Sequence, residues 1–317
     1  MTVLVTGGTG FLGRHLVERL VADRRPFRAA VRTVAQAQTA VDTVVVGEMD
    51  GTTRWEAALQ GVQTVVHIAG LAHGAGRGSL EELERVNVNG TVALARAAAD
   101  AGVQRMVFLS TAKVHGDSSV PGTPLREASA LAPQDAYSRS KLKAEQRFRE
   151  IAAASDLECV VVRTVLAYGA GVKANFRAMM SAVARGFPLP LASVDNRRSL
   201  IYAGNLVDAL ITCADHRAAA GETFLVSDGA PISTPELLRR VGTALGRAPR
   251  LLPLPLSLLR LVAGATGRAG SMERLIGSFE VDTTHIRTAL GWMPPLSMAQ
   301  GLAATARWYA QMPIERA

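Results

Sequence analysis

The sequence predicts an α/β fold built on a doubly wound parallel sheet, followed by a smaller mixed α/β region. Three observations carry this. Short apolar, β-branched runs alternate with longer helical patterns through the first half of the chain. Those runs lack the polar alternation of a sheet with one wet face, as expected for parallel strands buried on both sides. After Arg163 the texture changes to segments punctuated by glycine and proline, such as Gly186-Phe-Pro-Leu-Pro190. The division falls at residues 1–165 and 166–317, with some late elements expected to return to the first sheet.

The strands are read at Val3–Val5, Arg28–Val31, Thr43–Val46, Thr64–Ile68, Arg105–Leu109 and Glu158–Arg163. Helices are read between them. Phe11–Arg24 sets Leu12, Leu16 and Leu20 on one stripe. Leu80–Ala101 carries Leu83, Val86 and Leu94 and stops at Gly102, a residue that ends helices cheaply. Asp135–Ala154 repeats the pattern. This βαβ alternation is what predicts the doubly wound sheet. Beyond residue 165, helices are expected at Val172–Ala184, Asn205–Asp215, Thr234–Leu245 and Ser297–Tyr309, with strands near Ser199–Tyr202 and Thr223–Val226.

Composition excludes several classes. A chain of 317 residues with 48% apolar and 20% charged residues buries a real core and is not disordered on a large scale. Its net charge of +8 is carried almost entirely by arginine, the only lysines being Lys113, Lys141, Lys143 and Lys173. The arginines read as a solvated surface or as the means of holding an anionic ligand such as a nucleotide sugar. No dense basic run interleaved with aromatics points to nucleic acid. Two distant cysteines, Cys159 and Cys213, make neither a disulfide framework nor a metal signature and fit a reducing cytoplasm. No cluster of His, Asp or Glu argues for a metal. The N-terminus reads as a strand entering a glycine turn, not as a signal peptide. Leu251–Val262 is the most lipid-like stretch. It contains Pro253, Pro255 and Arg260 and falls short of the ~20 apolar residues of a bilayer span. It reads as a buried or lid helix, with peripheral membrane contact as the other reading.

Thr6-Gly7-Gly8-Thr9-Gly10-Phe11-Leu12-Gly13 follows the first strand directly and opens the first helix. Gly7 allows the sharp turn, Gly10 removes a side chain where backbone must approach phosphate, and Gly13 lets the helix pack closely on the sheet. Free N–H groups at the helix start then face a pyrophosphate. This is the Rossmann dinucleotide pattern. A carboxylate ~20 residues on would bind the adenosine ribose and mark NAD. Here the second strand ends Val31-Arg32-Thr33, with no acid until Asp42. Arg32 would clamp a 2′-phosphate, so NADP is favoured over NAD. Glu48 and Met49, after the third strand, are placed at the adenine.

Tyr137-Ser-Arg-Ser-Lys141 sets a phenol and an ammonium one helical turn apart on one face. A free tyrosine, pKa ~10, is a poor base at neutral pH. The charge of Lys141 is expected to lower that pKa, so that Tyr137 shuttles a proton while a hydride moves at the same carbon. A hydroxyl from Thr111 or Ser110 would polarise the substrate oxygen.

These residues resemble the extended short-chain dehydrogenase/reductase family, over nearly the whole chain. Val66-His67-Ile68-Ala69-Gly70 matches its fourth-strand turn, and Asn87-Val88-Asn89-Gly90-Thr91 its helical Asn-Val-x-Gly-Thr element. Leu109-Ser110-Thr111-Ala112-Lys113-Val114-His115-Gly116-Asp117 is similar to the family's serine-rich segment, with His115 in place of tyrosine. The resemblance implies that Thr111, Tyr137 and Lys141 are catalytic. It implies that Gly7, Gly10, Phe11, Leu12, Ala69, Asn87, Tyr137 and Lys141 contact the cofactor or hold its surroundings. The second half is similar to the nucleotide-sugar branch. Arg163-Thr-Val-Leu-Ala-Tyr168-Gly169 carries Thr164 where that branch has proline. Lys113, Asn175 and Arg198 are implied as substrate-binding residues, Arg198 pairing with the diphosphate.

The implied activity is NAD(P)-dependent hydride transfer at C4 of a nucleotide-linked hexose, UDP-linked by expectation, as a 4-ketoreductase or a 4-epimerase. A 4,6-dehydratase fits less well, because Ala112-Lys113 stands where that chemistry needs Asp-Glu. A non-catalytic dinucleotide-binding redox sensor or assembly protein, and a reductase of a non-sugar ketone, are the alternatives. The family's habit implies a homodimer through Leu80–Ala101 and Asp135–Ala154. His67 is expected in a core or loop contact, His73 at the sugar pocket, and Trp55, Trp292 and Trp308 as core anchors.

Overall fold

The computed structural model describes residues 2–36, 42–71, 79–267 and 269–312. In chain order the first half forms β1 (Thr2–Thr6), α1 (Phe11–Ala22), β2 (Phe27–Val31), β3 (Asp42–Val45), α2 (Glu56–Leu59), β4 (Val62–His67), α3 (Leu80–Leu83), α4 (Gly90–Asp100), β5 (Arg105–Thr111), α5 (Ala136–Ala153) and β6 (Glu158–Thr164). The second half adds β7 (Leu166–Tyr168), α6 (Ala174–Arg185), β8 (Pro188–Leu189), β9 (Leu200–Tyr202), α7 (Ala203–Asp215), β10 (Thr223–Val226), α8 (Thr234–Leu245), β11 (Arg250–Leu251), α9 (Leu256–Ala265), α10 (Ala269–Ile276), α11 (Thr284–Leu290) and α12 (Met298–Ala310).

Seven strands make one parallel sheet in the order β10-β6-β5-β4-β1-β2-β3. The strand order reverses between β1 and β4, and that switch point opens a crevice at the carboxyl ends of the strands. Each face of the sheet is sealed by its own apolar cluster. Leu16, Leu20, Leu206 and Leu210 cover one face. Trp55, Leu94, Met106 and Phe148 cover the other. The continuous Val/Ile/Leu runs of the strands follow from this double burial. A third cluster, with Phe176, Met180, Leu237 and Leu302, unites α6, α8 and α12 outside the sheet.

All eight expected strands form, with ends shifted by one or two residues. Thr223–Val226 does return to the main sheet, as its β10 edge, and α7 packs on α1. The helix expected over Leu80–Ala101 is interrupted. A π-helical turn at Glu84–Asn89 separates α3 from α4 and buries Val86, Asn87 and Val88. The wider turn carries Asn87, whose amide side chain bonds the backbone of Leu71. The short strands β7, β8 and β11 and the helices α2, α10 and α11 have too few residues to show a period. Among the described residues no helix is long and apolar enough to cross a membrane.

Candidate active site

The glycine turn is built as its spacing predicts. Gly7 has φ +76°, and a Cβ there would stand 2.8 Å from the Ala69 nitrogen. A Cβ on Gly13 would fall 1.9 Å from the Gly7 carbonyl oxygen, so only glycine lets α1 start this close to the turn. Gly10 caps α1 without a side-chain hydrogen bond, which leaves the first-turn N–H groups and the positive end of the helix dipole facing the crevice.

The crevice is a cleft of about 430 Å³. Gly7, Gly10, Phe11 and Leu12 line it, as do Arg32, Glu48 and Met49. Ala69, Tyr137 and Lys141 line the same cleft. Ten sequence-expected residues from five separate segments therefore meet around one volume. Glu48 stands 3.7 Å from Arg32, both side chains exposed. Asn87 is not a wall residue. It braces the site from behind, accepting from the Leu71 nitrogen at 2.8 Å and donating to the Ser140 hydroxyl at 3.0 Å, next to Lys141. His67 makes the core contact expected of it, between Thr6 and Thr91, and burial pushes its pKa down to about 3, so it stays neutral.

Tyr137 and Lys141 sit in the first turns of α5. Asp135 caps that helix in a reciprocal box with Ser138, whose N–H donates to it at 2.7 Å. Lys141 is buried, with its ammonium 4.0 Å from the centre of the Phe108 ring. Burial lowers its pKa to about 7, against an opposing pull from Glu145. One expectation is corrected here. Tyr137 is pushed up to about 12, first by burial and then by the charge of Asp135, and not down by Lys141. A lysine that is itself held near neutrality by its dry surroundings gives the phenol little positive field.

Ser110 and Thr111 end β5 and divide their roles. Ser110 donates its hydroxyl to Glu145, so its proton is committed. Thr111 accepts from the Lys113 nitrogen at 3.2 Å, which leaves its own O–H as a donor. Thr111 lies next to cleft residue Ser110 but does not itself line the cleft. Glu145 also takes both Nε, at 3.2 Å, and Nη2, at 2.6 Å, of Arg163. Arg163 in turn donates to His115 Nε2 at 3.0 Å. Burial and Arg163 lower the His115 pKa, so Nε2 accepts and Nδ1–H faces the Ser129 carbonyl. All four of Ser110, Glu145, Arg163 and His115 are buried. Glu145 was not legible as a site residue; its one signal is its place one helical turn beyond Lys141.

The residues expected at the substrate are not drawn into this cleft. Lys113 pairs with Asp135 and, at 3.0 Å, with Asp117. Asn175 is exposed in the first turn of α6. Arg198 is largely enclosed and donates to the Gly277 carbonyl at 2.9 Å. Burial lowers its pKa. His73 lies outside the described residues. Gln36, Trp55 and Thr164 line the cleft unforeseen. Thr164, at the position of the missing proline, was the only one with a signal. Trp55 and Trp292 are core residues, and Trp308 packs half-buried on the third cluster. His15 bonds the Ala170 carbonyl at 2.8 Å and ties α1 to the loop after β7.

Comparison with known proteins follows the same geometry. A family model described as the NAD dependent epimerase/dehydratase family matches residues 3–227. The chain is 38% identical, over 98% of its length and 96% of the other, to a UDP-glucose 4-epimerase of Vibrio cholerae. Among solved structures, a UDP-glucose 4-epimerase of Thermus thermophilus in complex with NAD superposes with a TM-score of 0.78 at 24% identity, over 99% of this chain and 100% of that one. A UDP-N-acetylglucosamine 4-epimerase of Bacillus cereus superposes with a TM-score of 0.80 at 20% identity, over 99% and 98%.

Proposed function

The chain belongs to the NAD dependent epimerase/dehydratase family, and from that premise we propose that it is a nucleotide-sugar 4-epimerase acting on a UDP-linked hexose. The observation that carries the reading is the meeting of Tyr137 and Lys141 with Gly7 and Gly10 around one cleft. The activity of the Vibrio cholerae relative supports it.

The residues fit a nicotinamide dinucleotide. A side chain on Gly7 or Gly13 would collide with backbone, as a turn shaped for close phosphate approach requires. Gly10 and the uncapped N–H groups of α1 would hold the pyrophosphate. Met49 and Glu48 would meet the adenosine, and Lys141 the nicotinamide ribose. A dinucleotide bound here supplies the hydride acceptor and donor and, when oxidised, a positive charge near the phenol. Tyr137 would take the C4 hydroxyl proton and return it, with Thr111 donating to the same oxygen. Arg198 would pair with the diphosphate once a substrate phosphate replaces its Gly277 partner.

The absence of an acid directly after β2 favours NADP, with Arg32 at the 2′-phosphate. Its exposed contact with Glu48 is weak enough for a phosphate to replace. This feature also favours a second reading, a 4-ketoreductase drawing on NADPH. Incubation with UDP-glucose, and separately with a UDP-4-keto-hexose and NADPH, decides between them. An epimerase forms UDP-galactose with no net change in cofactor, whereas a ketoreductase consumes one NADPH per UDP-4-keto-hexose. The same reading places the protein in the cytoplasm as a homodimer through α4 and α5.

A further inference from the structure

We propose that the outer face of α9, with the chain leading into it, is a docking surface for an anionic lipid bilayer. Helix α9 is apolar on two sides. Leu259 and Ala263 face the protein at 3% and 2% exposure, while Leu258, Leu261 and Val262 stand 41%, 70% and 53% exposed. These three share one helical face by their i, i+3, i+4 spacing. Leu252 and Phe187 extend the exposed apolar surface where β11 pairs with β8. No comparably short described stretch exposes as many large apolar side chains.

Charge selects the occupant. From residue 247 to residue 267 the sequence holds Arg247, Arg250 and Arg260 and no acidic residue. Arg260 meets Glu273 of α10 in an exposed pair at 2.8 Å, which is readily exchanged. A second copy seated on this face by two-fold symmetry would bring arginine towards arginine. Acidic headgroups answer the arginines, and the acyl boundary takes the leucines and the phenyl ring, which is the pattern of a helix lying in a membrane interface. With ten residues α9 is ~15 Å long, half a bilayer core, so it rests on the surface and does not span. Helix α10 packs on α9 and is followed by Gly277, whose carbonyl bonds Arg198.

The test is sedimentation of the full chain with vesicles of equal parts phosphatidylglycerol and phosphatidylcholine, and with phosphatidylcholine alone. The chain should pellet with the anionic vesicles, less so at high salt. The double variant Leu258→Ser/Leu261→Ser should partition about tenfold more weakly with an unchanged melting temperature, since both side chains are exposed. Arg250→Gln/Arg260→Gln should weaken binding to the anionic vesicles only. Wild-type protein that stays in the supernatant with anionic vesicles overturns the proposal, as does a serine variant that pellets like wild type. Loss of a dimer instead of vesicle binding in that variant assigns the face to a second copy and also overturns it. No readout uses catalysis, so failure here leaves the epimerase reading intact, and the reverse.

Discussion

Ser110 of β5 donates its hydroxyl to Glu145 of α5, with both side chains sealed from solvent. The bond joins the strand that carries Thr111 to the helix that carries Tyr137 and Lys141. Arg163 closes it from β6, so three elements around the cleft are locked by one carboxylate.

A buried pair of this kind is costly to break from one side. Glu145→Leu should lower unfolding free energy by about 3–5 kcal/mol in urea titrations, because Arg163 is left charged and unpaired. Glu145→Leu/Arg163→Met should cost less than Glu145→Leu alone. Equal or greater loss in the double variant would show that the pair does not act as a unit.

The depressed Lys141 has a defined pH signature. Its folded pKa of about 7 lies below the unfolded value of 10.5, so between these the unfolded chain binds the extra proton. Stability from this residue therefore rises with pH across that window. The raised Tyr137 acts above it: between 10 and about 12 the folded chain holds the proton, and stability falls as pH rises. Melting curves of wild type and Lys141→Met from pH 6 to 10 should converge towards the alkaline end if Lys141 carries the first effect. A constant separation would refute it.

Arg32 and Glu48 set cofactor choice in the proposed reading. Arg32→Ala should lower the ratio of NADP to NAD affinity by about tenfold, the loss of one charge-assisted contact. Glu48→Gln should raise that ratio by removing a negative charge near the phosphate. Binding titrations with both dinucleotides measure it, and an unchanged ratio in Arg32→Ala would remove Arg32 from the site.

Two glycines with positive φ separate turn strain from close approach. Gly61→Ala meets open space and should cost only about 1–2 kcal/mol of backbone strain. Gly7→Ala adds a Cβ 2.8 Å from the Ala69 nitrogen and should in addition weaken dinucleotide binding by an order of magnitude or more. Comparable dinucleotide affinity in the two variants would count against the glycine turn as a phosphate cradle.

Much of this was readable from the chain. The strands were legible because burial on both faces leaves unbroken apolar runs, and the glycine turn because Gly7, Gly10 and Gly13 each meet a steric need. Tyr137 and Lys141 were legible through helical geometry. The acidity of Tyr137 was not, because it depends on how dry the site is and on Asp135, which a spacing rule does not weigh. Glu145 was hidden because its partners, Ser110 and Arg163, lie far away in sequence. The interruption of the Leu80–Ala101 helix was hidden because a π-turn leaves the apolar pattern almost unchanged.

The central claim is that the Tyr137 phenol moves the C4 proton within the glycine-lined cleft. The most direct test is the kcat for interconversion of UDP-glucose and UDP-galactose in Tyr137→Phe. The account predicts a fall of about 10²-fold or more with dinucleotide and UDP affinities retained. A kcat within about twofold of wild type would contradict it.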